Sequence, residues 1–204
     1  MSLEKFIGIK RVIDNTIPSV FIHILGGHST GKSGIVGRIK QKYGAKIMAL
    51  GKYSRSRTTK GLLTGGMDGI QMTNKERFKY IKRHFLSNKQ VLLCEGMMVI
   101  YYDSFLSKYY ELQKIKHRTV YVILLQTDIE TMRKRISKRS KGKEHSEKRE
   151  RNLRSKASCS ESTYNRLEEN STFIKTKFDT SDSKIFDNIV IYISEIIDKT
   201  LKKE

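Results

Sequence analysis

Residues 26–33, Gly-Gly-His-Ser-Thr-Gly-Lys-Ser, fit the pattern Gly-x4-Gly-Lys-Ser/Thr and carry the clearest chemistry in the chain. Glycines let a backbone wind so that successive N–H groups converge on one point, and a helix that follows directs its positive end at the same point. That chemistry is anion binding, and the anion it suits is the polyphosphate of a nucleotide such as ATP. Gly26, Gly27, His28, Ser29, Thr30 and Gly31 would form the cradle, with Lys32 reaching the β- and γ-phosphates and Ser33 ligating Mg²⁺. The remaining histidines, His23, His84, His117 and His145, show no triad or metal-ligand spacing. Cys94 and Cys159 are the two cysteines, too few for a disulfide framework or a zinc site.

Such a loop works between a strand and a helix, and the flanking pattern supplies both. Ser19 to Leu25 is a short apolar run that reads as a buried strand. From Lys32, Ile35, Val36, Ile39 and Tyr43 recur at helical spacing, and Gly44 stops the helix. Ala45 to Leu50 is a second strand, Val91 to Cys94 a third, Thr119 to Leu125 a fourth and Phe173 to Asp179 a fifth. Thr73 with Glu76 predicts a capping box that opens a helix through Ser87, and Thr127 with Glu130 predicts another. A last amphipathic helix runs from Ser183, with Ile189, Ile193, Ile196 and Ile197 on its stripe. Strands alternating with helices predict an α/β fold: a mostly parallel five-stranded sheet with helices on both faces and ligands at the carboxyl ends of the strands.

The 204 residues, 37% hydrophobic, predict one domain over residues 1–204 with a core of its own. Lys and Arg number 41 against 21 for Asp and Glu, a net charge of +20, so the expected partner is anionic. No apolar run approaches the ~18 residues that cross a bilayer, and no secretory leader is apparent, so a cytoplasmic protein without a membrane partner is expected. Two segments stand apart. Residues 51–72 have no period and read as a long loop, which in a compact domain is usually functional. Met132 to Lys156 carries twelve basic and three acidic residues.

The phosphate loop in this setting resembles the P-loop kinases, the nucleoside and nucleotide kinase group with its polynucleotide kinase relatives. The resemblance runs in order along most of the chain and implies the three-layer sandwich of that group with a helical basic lid over residues 132–160. It implies an acidic residue at the end of the third strand, and Glu95 stands there, to hold Mg²⁺ through water or to orient the attacking hydroxyl. It implies lid arginines with the spacing Arg-Ile-x-x-Arg, matched by Arg135 and Arg139, which share a helix face and would close on the transferred phosphate. It also implies that the stretch before the last helix touches the adenine, which falls on Thr180 and Ser181.

Kinases that activate a hydroxyl need a carboxylate facing the acceptor. Between Ser33 and Lys75 there is one, Asp68, in the 51–72 loop, and it is the candidate base. Lys52, Tyr53, Arg55, Arg57 and Lys60 precede it, a cationic run with one aromatic that suits phosphates and a stacked base. With the basic lid and the net charge, these residues point to a nucleic-acid acceptor. The leading expectation is an ATP-dependent kinase acting on a hydroxyl of DNA, either a 5′-hydroxyl end or the 5-hydroxymethyl group of a modified pyrimidine; the latter resembles the DNA-base kinases of some bacteriophages. A nucleoside monophosphate or deoxynucleoside kinase is the alternative, and a non-catalytic, nucleotide-gated nucleic-acid binder is a third. Asn74-Lys75-Glu76-Arg77 lacks the aspartate of a guanine-reading Asn-Lys-x-Asp motif, which argues against a GTPase.

Overall fold

The computed structural model describes residues 18–51, 54–55, 63–64, 66–67, 72–96, 110–139, 146–168 and 172–202. Strand β1 (Val20–Gly26) leads through the phosphate loop into helix α1 (Lys32–Tyr43). A 3-10 turn (Gly44–Lys46) and the short β2 (Met48–Leu50) follow. The second strand is thus three residues shorter at its start than its apolar run suggested, because Gly44 ends α1 in a left-handed turn (φ 54°) and the chain curls once before extending. The 51–72 segment, expected to be irregular, contains a two-residue antiparallel ladder of β3 (Ser54–Arg55) with β4 (Leu63–Thr64), and β4 lies alongside α1.

Helix α2 (Asn74–Phe85) opens on the expected capping box: Glu76 N–H donates to the Thr73 hydroxyl at 3.3 Å, and Thr73 N–H donates to the Glu76 carboxylate at 2.8 Å. The chain continues through β5 (Val91–Glu95), α3 (helical over residues 110–115), β6 (Thr119–Gln126), α4 (Ile129–Arg139), α5 (Glu147–Arg166), β7 (Phe173–Asp179) and α6 (Ile185–Leu201). The second capping box does not form. Helix α4 starts at Ile129, and Asp128 caps it by accepting from Thr131 N–H at 2.7 Å, while Glu130 pairs one turn on with Lys134. An aspartate one residue nearer the helix reaches the orphan amide better than Thr127 can.

The five long strands form one parallel sheet in the order β2-β5-β1-β6-β7. Residues alternate between its faces. Ile22 and Ile24 of β1 pack with Ile35, Val36 and Ile39 of α1 and Ile189, Ile193 and Ile197 of α6. On the other face Phe21 and Leu25 pack with Ile81 and Phe85 of α2 and Leu112 of α3. Helix α5 lies against β1 and β6, burying Leu153, Ser160 and Thr163. The expected lid region therefore divides between α4 and a helix laid on the body of the fold. β1 is central, and the chain reaches β5 on one side of it before crossing to β6 on the other, so the carboxyl end of β1 is the topological switch point where ligands of open α/β sheets sit. Among the described residues no helix is long and apolar enough to cross a membrane.

Candidate functional site

The phosphate loop hangs from that switch point. Gly26 ends β1 with φ 146°, Ser29 is left-handed (φ 60°), and Gly31 precedes α1 with φ 94°. Ser29 is the non-glycine residue among those described that has a positive φ, a conformation that costs energy and tends to survive where function requires it. Gly31 cannot be replaced for a second reason: a β-carbon there would fall 2.2 Å from the ring of Phe186 on α6. The buried Thr30 hydroxyl donates to the Gly27 carbonyl at 3.1 Å and closes the turn. Helix α1 has no side-chain cap and no acidic residue in its first turn, so its N–H groups face the loop's interior with the helix's positive end behind them. Lys32 folds back over this hollow and donates to the carbonyls of Gly26 (2.8 Å) and Gly27 (2.6 Å). Ser33 follows it in the first turn of α1, half-buried.

Glu95 closes β5 beside the loop. It pairs in register with Ile24 of β1 and is 2% exposed. Strand parity puts Val91, Leu93 and Glu95 on the α1 side, the side that carries Ser33. Gly96 (φ 120°) turns the chain away, and the His23 ring donates from Nε2 to the Gly96 carbonyl at 2.9 Å. His23, read as roleless in the sequence, therefore ties β1 to the turn that carries Glu95. Its one signal was a polar residue inside a run of buried apolar ones. Gly66 lies directly on the Glu95 carboxyl, and the next residue, Met67, is fully buried in the core with Ile81 and Phe85.

Arg135, half-buried on α4, reaches three carbonyls, those of Ser29 (3.3 Å), Thr180 and Ser181 (3.4 Å). Its guanidinium also stands over the Phe186 ring at 5.5 Å. One side chain thus joins the phosphate loop to the segment after β7, and it brings the predicted Thr180 and Ser181 to the loop's edge. The two differ in what they offer. Thr180 is fully buried and spends its hydroxyl on the Gln126 carbonyl (2.8 Å), whereas Ser181 is exposed and bonds Asp179 (2.7 Å) and Asp128 (3.3 Å). These hydrogen bonds, the Ser181 hydroxyl first, hold the Asp179 carboxyl below its usual range; for Asp128 the Thr131 bond is the main cause of the same shift.

Arg139 is the last residue of α4 and Arg55 lies in β3. Lys52, Tyr53, Arg57, Lys60 and Asp68 lie outside the described residues, although Asp68 is two residues from Gly66 in the chain. A cleft of about 590 Å³ opens on the other side of the loop, between α4, α5 and the carboxyl ends of β6 and β7, lined by Gly27, Gln126, Asp128, Met132, Ser158 and Lys177. It borders Gly27 without including Lys32, Ser33 or Glu95, so it is a neighbour of the site rather than its centre. The exposed faces nearby are basic: Lys134 and Lys138 on α4, and Lys148, Arg149 and Arg151 on α5. Glu150 is taken up by Arg133 and Arg154, which lower its pKa, Arg133 chiefly, so it subtracts little from that surface.

The donors suit Mg²⁺. A hydroxyl and a carboxylate are hard oxygen ligands, and Mg²⁺ takes few of them from protein when a polyphosphate and water supply the rest. Among the described residues no group of three or more His, Cys, Asp and Glu could hold a metal by itself.

No protein-family model matches the chain, and no curated protein matches its sequence. Solved structures do match its fold. A candidate kinase of Chloroflexus aurantiacus is 13% identical with a TM-score of 0.55, covering 90% of this chain and 98% of its own. The YorR protein of Bacillus subtilis, solved with phosphorylated GDP, is 14% identical with a TM-score of 0.54, covering 86% and 96%. A gluconokinase of Sinorhizobium meliloti is 13% identical with a TM-score of 0.50, covering 92% and 98%. The chain has the α/β fold of these kinases, with the glycine-rich turn of residues 26–33 at the carboxyl end of its central strand.

Proposed function

We propose that the protein is an ATP-dependent phosphotransferase that moves the γ-phosphate of ATP to a hydroxyl on DNA, at a 5-hydroxymethylpyrimidine base or a 5′-hydroxyl end. The observation that carries the reading is the wound loop at residues 26–33 with Lys32 and Ser33 on one side and the buried Glu95 on the neighbouring strand. Phosphoryl transfer asks for position and charge more than covalent chemistry. The loop amides and Lys32 hold and neutralise the phosphates. Ser33 and Glu95 would hold Mg²⁺, which would supply positive charge to offset the negative charge of the phosphates. Arg135 and Arg139 would add donors as charge spreads on the transferred group, and Asp68 would take the proton of the attacking hydroxyl. The basic faces of α4 and α5 and the net charge of +20 favour a polyanionic acceptor.

A second reading is a nucleoside monophosphate or deoxynucleoside kinase, favoured by the phosphorylated GDP that the YorR structure holds. Labelled ATP and Mg²⁺, offered with DNA carrying hydroxymethylpyrimidines, 5′-hydroxyl oligonucleotides, mononucleotides and deoxynucleosides, separate the two. Label in DNA is expected. Label confined to the small acceptors supports the second reading, and ATP binding without transfer to any of them leaves a nucleotide-gated binder. A protein that does not bind Mg²⁺-ATP ends both kinase readings.

A further inference from the structure

Helix α5 is buried along one side and carries a second pattern along the other. Leu153, Ser160 and Thr163 face the sheet, and Leu167 at the helix end continues that side. Opposite them, Lys148, Arg151, Ser155, Ser158, Ser162 and Asn165 follow one another in alternate steps of three and four residues. They therefore stand in a single row, and all six are exposed. The row holds no carboxylate and no apolar side chain. From Lys148 to Asn165 the helix rises about 26 Å.

The acidic residues of α5 are engaged elsewhere. Glu150 is taken by Arg133 and Arg154, Glu161 lies 3.8 Å from Lys177 of β7, and Glu147 sits in the first turn, where the helix's positive end offsets it. Lys148 and Arg151 have no carboxylate partner among the described residues. Cations, hydroxyls and a side-chain amide are the groups that bind the phosphate oxygens of a nucleic-acid backbone. At about 3.4 Å per nucleotide of one strand, the row spans roughly eight nucleotides. A protein partner would draw on aromatic and apolar anchors, and a membrane surface on an apolar face; the row offers neither. It also has no ring on which a base could stack, so it suits a strand held without reading its sequence. Midway along α5, Ala157 packs against the 26–33 loop: a β-carbon on Gly27 would come 3.4 Å from it. The row thus passes the loop at about the width of one helix, ~10 Å.

We propose that this row is a track for the sugar-phosphate backbone of DNA, which holds a polymeric acceptor alongside the 26–33 loop. It rests on the reading of DNA as the acceptor and names the surface that holds it. The test is binding of the full chain, without ATP, to a fluorescent single strand of about 16 nucleotides, followed by anisotropy over a salt series. Three double variants each lower the net charge by two. Lys148→Gln with Arg151→Gln and Ser155→Glu with Ser162→Glu alter the row, and Lys79→Gln with Lys82→Gln alters the exposed face of α2. Every substituted side chain is exposed, so thermal melts should coincide with that of the wild type.

Both row variants are expected to lose at least tenfold in affinity at moderate salt, and the α2 variant less than twofold. The slope of log affinity against log salt should become shallower by about 1.4 for the Lys148 and Arg151 pair, at ~0.7 for each phosphate contact on a single strand. Equal loss in all three variants means diffuse positive charge and overturns the proposal, as does a wild type that binds no DNA or a row variant that binds like the wild type. Tighter binding of the wild type to phosphatidylserine vesicles than to the strand, lost in the row variants, overturns it in favour of a membrane surface. A strand held by the row that accepts no phosphate from ATP, offered as a 5′-hydroxyl end or a hydroxymethylpyrimidine, overturns the kinase reading and leaves the track. Phosphate transfer to mononucleotides with no strand binding overturns the track and leaves the kinase.

Discussion

Gly66 and Glu95 occupy each other's side-chain space: a β-carbon on Gly66 would sit 2.4 Å from Glu95 Cγ and 2.5 Å from its Oε1. The backbone at Gly66 is thereby seated on the carboxylate that ends β5. Gly66→Ala must push that carboxylate aside. We expect kcat for phosphate transfer to fall at least tenfold with ATP affinity kept, and stability to drop by about 1–3 kcal/mol through overpacking. The double variant Gly66→Ala, Glu95→Ala should regain stability but not activity. Denaturant melts and steady-state kinetics on the three variants check this.

Arg135 joins the loop carbonyl of Ser29 to those of Thr180 and Ser181, a three-way contact that depends on a planar fork. Arg135→Ala should weaken Mg²⁺-ATP binding about tenfold, the loss of roughly 1.4 kcal/mol. Arg135→Lys should recover little of it, since an ammonium has the charge without the geometry. Calorimetric titration with ATP reads both, and full recovery by lysine would show that charge alone matters.

Arg118, 1% exposed, was not singled out in the sequence. Its guanidinium donates to the carbonyls of Phe85 (2.6 Å), Ser87 (2.6 Å), Lys89 (2.8 Å) and Gln90 (3.4 Å), and stands over the Phe85 ring. Burial pushes its pKa down to about 10, still well above neutrality, so it remains charged in the working range. It fastens the turn between α2 and β5 to the start of β6. Arg118→Ala leaves the buried Phe85 carbonyl and the partly buried carbonyls of Ser87 and Lys89 without this donor and should cost about 3–5 kcal/mol of stability. Urea unfolding gives the loss, and nucleotide affinity of the folded fraction should be unaffected.

Acid should weaken the hydrogen bonds that Asp128 and Asp179 accept beside the 26–33 loop. The lowered pKa values of Asp128 and Asp179 mean that their folded forms bind protons less readily than the unfolded chain does. The associated stability is present above the ordinary carboxylate range, near pH ~4, and is lost as pH falls through the lowered folded values. Ser181→Ala removes the largest cause of the Asp179 shift, so its carboxyl should titrate at higher pH. Carbonyl ¹³C NMR titration measures the shift directly, and an unchanged Asp179 curve would refute this account.

The five strands, the phosphate loop and α1 could be read from the chain because their causes are local. Alternation and glycine placement act over a few residues, and Lys32–Tyr43 and Phe173–Asp179 lie where the pattern put them. Sequence also singled out Glu95, Arg135 and Ser181, and the structure places Glu95 at the end of the strand beside β1 and Arg135 between Ser29 and Ser181. Sequence did not reveal that Arg135 would spend its donors on backbone carbonyls, that Thr180 would turn inward, or that Asp128 would cap α4. Each of these depends on which atoms a neighbouring element presents, and strand order decides that. The burial of Arg77 and Arg118, the contact of His23 with Gly96 and the seat of Gly66 on Glu95 join residues 29 to 73 positions apart or place a charge by helix packing. Composition and spacing carry no information about such distances, because a side chain's partners across the chain are set by the packing of the whole sheet and not by its own neighbours.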